Sequence, residues 1–316
     1  MPSLQEVFAE VQSRREESSQ DYVLKKYLKR LHKYTRRPTI LYASAFADRD
    51  VSGRMLHLGR QDSSCFMAAA SGADGRELDL ILHSPGGTVE AAEQIVTYLR
   101  RRFDHIRIIL PLCALSSAAL LCCAADRIVM AEHATLGPID PIVDWYHQGS
   151  SYSESAQNII NEFSIAQRNI NNKRNNPALW IEKLKCYPPG LLATCKSQIQ
   201  LAQDLSKSWL ERYMFQAEAG AAEKAERISA WLADGRRFIS GQRPLMYDQA
   251  VAEELKVELL GEDASFEENV MAVFHAAITK FHTSDCVKII ANQLGKGCTF
   301  SARPPVGSAR DRREGA

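Results

Sequence analysis

The sequence predicts an α/β fold built on a mainly parallel sheet and followed by a helical C-terminal half. Three observations predict it. LDLILH (78–83), IRIILPL (106–112) and RIVM (127–130) are near-continuous apolar runs, as strands covered on both faces require. Helix-periodic segments separate these runs, and a strand–helix–strand alternation implies right-handed crossovers between parallel strands. Beyond residue 150 the apolar runs give way to helical periodicity.

In chain order, residues 1–37 form a charged N-terminal helical arm. In it Leu24, Leu28, Leu31 and Tyr34 recur at helical spacing among Lys25, Lys26, Lys29, Arg30, Lys33, Arg36 and Arg37, and no longer buried pattern is evident. This face reads either as a grip for an acidic partner or membrane surface, or as a solvated helix face. Pro38 ends the arm, and TILYASAF (39–46) reads as the first strand of a core spanning 38–150. The second strand, 78–83, runs into SPGG, a tight turn. Ala91, Ile95, Val96, Leu99 and Phe103 then share one helical stripe over 88–103, with Thr88 as N-cap. A third strand (106–112), an Ala-rich helix (116–125) and a fourth strand (127–130) come next. Residues 151–301 continue the fold as a helical capping or oligomerisation part, with helices at 152–170, 178–186, 191–219 and 221–234 and a break at 171–177. The tail, 302–316, combines Pro, Gly and Arg without an apolar face and reads as disordered.

The 316 residues are 45% hydrophobic and 24% charged, which excludes wholesale disorder. Lys+Arg 39 against Asp+Glu 38 leaves a net charge of +1, so no global field recruits nucleic acid, and self-association is easy. The eight cysteines show no C-x-x-C pair and no zinc spacing, and their irregular placement argues for free thiols in a reducing compartment. The charged N-terminus is unlike a signal peptide. The one long apolar stretch, 108–125, is interrupted by Pro111 and by Ser116-Ser117, so it reads as strand, turn and helix, not as a transmembrane segment. The expected location is cytoplasmic.

Two features stand at the carboxyl ends of adjacent strands, where open α/β sheets place their sites. His83-Ser84-Pro85-Gly86-Gly87 offers paired glycines that permit close backbone approach and leave N–H groups for a ligand oxygen. Ala114-Leu115-Ser116-Ser117-Ala118-Ala119 is a strand-to-helix turn of small residues, in which a serine hydroxyl and the N–H of the next residue face one space. Together they supply a nucleophile and an oxyanion cradle.

LDLILHSPGGTVEAAEQIV followed by ALSSAALLCCAADRIVMAEHATLGPIDP resembles the serine dehydrogenase proteinase family, of the clan that includes signal peptide peptidase A and the proteolytic subunit of Clp protease. The resemblance runs from about Ile40 to Phe300, more loosely in its later part. It implies a ClpP/crotonase-like spiral ββα core, serine peptidase activity on a polypeptide without metal or cofactor, and homo-oligomers that wall off the site. By position, Ser116 matches the nucleophile. Gly86 and Gly87 match the oxyanion glycines, with the Ser117 N–H as second donor and the substrate extended beside a strand after SPGG. A serine needs a base. His133, oriented by Asp140, matches family positions; a lysine base as in other clan members makes Lys173 or Lys183 the candidate, and His83 is a further one. Ala118 stands where the family motif has Gly, and Ser240 where a later motif has His.

The expected function is therefore an ATP-independent serine endopeptidase that acts through an acyl-enzyme on Ser116. Two alternatives stay open: a catalytically inactive ClpP-like scaffold that binds partners, and a crotonase-like enzyme acting on an acyl thioester.

Overall fold

A computed structural model describes residues 3–14, 19–49, 51, 53–172, 176–234 and 245–302. The expected disorder of the tail falls on residues that, apart from 302, lie outside this set, as do Lys173 and Ser240.

The chain opens with α1 (Leu4–Ser13) and α2 (Ser19–Thr35). The stripe Leu24, Leu28 and Leu31 is fully buried and belongs to the main core, while Tyr34 is exposed and hydrogen-bonds Asp263. The helix thus has a buried pattern that its dense lysines and arginines hide, because only every third or fourth residue carries it. Then come β1 (Thr39–Ser44), α3 (Gly53–Leu56), α4 (Arg60–Ala70), β2 (Glu77–His83) and α5 (Val89–Arg102), with the Thr88 hydroxyl accepting from the Ala91 N–H as N-cap. Next are β3 (His105–Leu110), β4 (Cys113–Ala114), α6 (Ser117–Cys123), β5 (Arg127–Met130) and β6 (Thr135–Leu136). A hairpin of β7 (Ile142–His147) and β8 (Ser150–Ser155) leads to α7 (Ala156–Asn171), α8 (Ala178–Leu184), α9 (Leu191–Trp209) and α10 (Ala221–Ala233). The chain closes through α11 (Tyr247–Ala252), β9 (Val257–Leu259), α12 (Ala264–Thr283), β10 (Cys286–Asn292) and β11 (Gly297–Ser301).

The seven-stranded sheet has the order β11-β10-β1-β2-β3-β5-β9. From β1 to β9 every pairing is parallel, and β10 and β11 add antiparallel at the β1 edge. The central strands are buried along nearly their whole length, which explains why they read as unbroken apolar runs. Packing of α2 against α12 covers one part of the sheet, and α5 lies between α4 and α6. The C-terminal half is helical as expected, but it also contributes three sheet strands. Of these, β9 is too short to show a period. Among the described residues no helix is long and apolar enough to cross a membrane.

One expectation is corrected. Cys65 on α4 and Cys298 on β11 form a disulfide with Cα atoms 5.3 Å apart, so the cysteines are not all free. A separation of 233 residues conceals the pairing in the sequence; the sheet closes it by laying β11 against α4.

Candidate active site

The turn after β2 and the turn before α6 are stitched together by backbone hydrogen bonds. The Ser84 N–H donates to the Cys113 carbonyl (3.1 Å), and the Leu115 N–H donates to the Ser84 carbonyl (3.0 Å). Ser116 comes next with φ 53° and ψ −125°, a region that side-chain-bearing residues rarely occupy and that costs on the order of 1–3 kcal/mol. Its N–H donates to the Pro138 carbonyl (3.0 Å), and its carbonyl accepts the Leu120 N–H (3.0 Å) as α6 begins. The residue is 7% exposed, and its Oγ has no hydrogen-bond partner among the described residues.

The two glycines serve two different contacts. Gly86 has φ +92°, and a methyl group there would stand 2.5 Å from Ser116 Cβ and from the Leu115 carbonyl, and 2.9 Å from Ser116 Oγ. At Gly87 a methyl group would stand 2.1 Å from the Leu58 carbonyl. Glycine is the residue that fits in both places. The Gly86 N–H donates to Ser84 Oγ (3.1 Å), whereas the Gly87 N–H makes no hydrogen bond among the described residues. The Ser117 N–H occupies the first helical position of α6, where no intrahelical acceptor exists. The structure thus brings Ser116, Ser117, Gly86 and Gly87 to one place.

None of the expected bases hydrogen-bonds Ser116 among the described residues. His133 sits exposed on the turn between β5 and β6, and among the described residues it makes no hydrogen bond to Asp140 or Ser116. Asp140 is two residues from Pro138, but its carboxylate accepts from Ser155 Oγ (2.5 Å) and the Gln157 N–H (3.2 Å), which ties it to the start of α7. Burial raises its pKa above the usual carboxylate range. Lys183 is exposed and ion-paired with Glu162. His83 packs between Phe46 and Phe274, with Nδ1 3.6 Å from Cys113 Sγ and Nε2 unpartnered, and burial pulls its pKa down to about 4.

The expectation of a strand directly after SPGG is corrected. SPGG leads into α5 and not into a strand, and one edge of residues 86–88 is filled by the chain itself. The Leu58 N–H donates to the Gly86 carbonyl (2.7 Å), and the Thr88 N–H donates to the Leu58 carbonyl (3.1 Å). A cleft of about 750 Å³ opens beside this contact, lined by His57, Leu58, Thr88, Glu90, Asp144 and Gln198 among others. His57 Nδ1 lies 3.7 Å from Asp144 Oδ1, and Gln198 on α9 donates to Glu90 on α5 (2.5 Å). Sequence reasoning missed this His57–Asp144 pair. His57 lies in a stretch without periodicity, and a long run of chain parts it from Asp144.

Residues 58–163 match the family model described as ClpP-like SDH-type serine proteinase. Two relatives come from Methanocaldococcus jannaschii. The uncharacterized protein MJ0137 is 45% identical over 71 residues, 22% of this chain and 25% of its own length. The uncharacterized protein MJ1495 is 35% identical over 91 residues, 28% of this chain and 31% of its own length. The matches therefore span about a quarter to a third of these relatives. A solved structure, that of a mutant of the 1510-N membrane-bound stomatin-specific protease, aligns with 67% of this chain and 79% of its own at 13% identity and a TM-score of 0.36. The matched segment holds both turns of the site, from Leu58 through Gly86, Gly87 and Ser116 to Asp140, and over this third of the chain the protein is similar to the ClpP-like SDH-type serine proteinases.

Proposed function

We propose that the chain is a serine endopeptidase with Ser116 as its nucleophile. One observation carries the reading: Ser116 is held in a strained conformation directly against Gly86, next to Gly87 and Ser117, whose N–H groups make no hydrogen bond among the described residues. In this reading Ser116 Oγ attacks the peptide carbonyl carbon, and those N–H groups stabilise the oxyanion that forms. Collapse expels the amine and leaves an acyl-enzyme, which water hydrolyses.

The base accepts the hydroxyl proton and returns it to the leaving amine. With His133 on an exposed turn, His83 packed between Phe46 and Phe274, Asp140 engaged by α7 and Lys183 by Glu162, we take two other side chains for this role. One is Lys173; the other is His57, which lines the cleft with Asp144 behind it. Loss of activity in His57→Ala restored by added imidazole assigns the base to His57, and loss in Lys173→Ala restored by added alkylamine assigns it to Lys173.

The same reading takes residues 38–150 as the catalytic core and 151–301 as its capping and assembly part. The working form is a cytoplasmic homo-oligomer that degrades polypeptide without ATP. The test is degradation of an unfolded protein by the purified chain, with Ser116→Ala inert and Ser117→Ala active. A second reading, an inactive scaffold, is favoured by the buried, unpartnered Ser116 hydroxyl; equal inertness of all three proteins in the same oligomer supports it.

A further inference from the structure

Beneath the glycine turn runs a buried polar chain that the proposed chemistry does not use. Lys288 on β10 and Asp62 on α4 are both 0% exposed, with Nζ 2.8 Å from Asp62 Oδ1 and donating to Oδ2 at 3.0 Å. The same ammonium donates to the His57 carbonyl (3.0 Å), and Asp62 Oδ2 also accepts the Gly59 N–H (3.0 Å). Leu58, between these two pinned residues, holds the Gly86 carbonyl and the Thr88 N–H. On the other side the Tyr42 hydroxyl donates to Asp62 Oδ2 (3.1 Å), and Ser84, two positions beyond Tyr42's partner Leu82 on the neighbouring strand, accepts the Gly86 N–H at its Oγ. Gly86 is therefore held by its N–H through Ser84 and by its carbonyl through Leu58.

Stability alone does not call for this arrangement. A buried ion pair gains little over apolar side chains of equal volume, because desolvating two charges offsets most of their attraction. What apolar residues cannot do is bond the His57 carbonyl, the Gly59 N–H and the Tyr42 hydroxyl.

We propose that Lys288, Asp62, Tyr42 and Ser84 form a positioning unit that holds the Gly86–Gly87 turn with the Gly87 N–H directed at the Ser116 site. Its loss slows the chemical step without weakening substrate binding. The proposal rests on the peptidase reading.

The test compares Tyr42→Phe and the double variant Lys288→Met with Asp62→Leu against the parent, with the exposed Tyr34→Phe as control. The first readout is inactivation by an organofluorophosphonate, resolved into its maximal rate and its binding constant. The expected maximal rate falls about 10-fold in Tyr42→Phe and about 100-fold in the double variant, the scale of a lost oxyanion donor. The binding constant stays within about 3-fold, as for an interaction made only in the transition state. The second readout is amide hydrogen exchange at Leu58, Gly59 and Gly86, expected to be at least about 10-fold faster in the variants, because a broken contact lets the turn open locally. Parent-like rates and protection in folded Tyr42→Phe overturn the proposal, even where the double variant does not fold. A parent that is never labelled at Ser116 refutes the peptidase reading, and the exchange readout then decides by itself whether the network holds the turn.

Discussion

Gly86→Ala probes the contact on which the site is built. Gly86 has φ +92°, where an L side chain costs about 1–2 kcal/mol. The added methyl would also meet the Leu115 carbonyl and Ser116 Cβ at 2.5 Å. Relieving such contacts in a packed region costs about 1–3 kcal/mol more, so the total is about 2–5 kcal/mol. Gly220→Ala separates the two parts. Its φ is +77°, nothing stands within 4 Å of its new methyl, and only the conformational cost applies. Urea unfolding of the two variants beside the parent gives the steric part by difference, expected at about 1–3 kcal/mol. Because the methyl displaces Ser116, organofluorophosphonate labelling of Gly86→Ala is expected to slow at least about 100-fold, the scale of a ~1 Å misplacement. Equal stability losses at the two glycines, with labelling at the parent rate, refute the close approach of the two turns.

Three more outcomes rest on the same geometry. Ser116→Gly relieves the positive φ and is expected to raise the melting temperature relative to Ser116→Ala by a few degrees, equivalent to about 1–2 kcal/mol, while both abolish labelling. His83 is neutral when folded, with a pKa of about 4 against about 6.5 unfolded. Its contribution is therefore full above about pH 6.5 and is lost as pH falls toward about 4, at up to about 1.4 kcal/mol per pH unit. The urea midpoint of His83→Phe is expected to fall less than the parent's between about pH 7 and about pH 5. Mass spectrometry after alkylation in denaturant without reductant is expected to find six modified cysteines, with Cys65 and Cys298 spared until reductant is added.

Much of the fold was legible because its central strands are buried on both faces. Residues 78–83 and 127–130 read as strands and are strands, and Thr88 caps α5 as its sequence position suggested. The juxtaposition of SPGG with Ser116 was legible for the same reason: both turns end neighbouring parallel strands, which fixes them side by side. What escaped reading depends on contacts distant in sequence. Leu58 pairs with Gly87 through an isolated bridge that no periodicity signals, and Lys288 looks like any lysine until β10 carries it under the sheet to Asp62. Asp140 was visible as part of a motif, but its carboxylate's duty at the start of α7 required the hairpin that brings Ser155 back to it.

The central claim is that Ser116 is a nucleophile. Intact-protein and peptide mass spectrometry after treatment with an organofluorophosphonate tests it most directly, with Ser116→Ala and Ser117→Ala treated in parallel. The expected result is a single adduct per chain, located on Ser116, present in Ser117→Ala and absent from Ser116→Ala. An unmodified Ser116 in a folded chain, or an adduct that persists in Ser116→Ala, contradicts the claim.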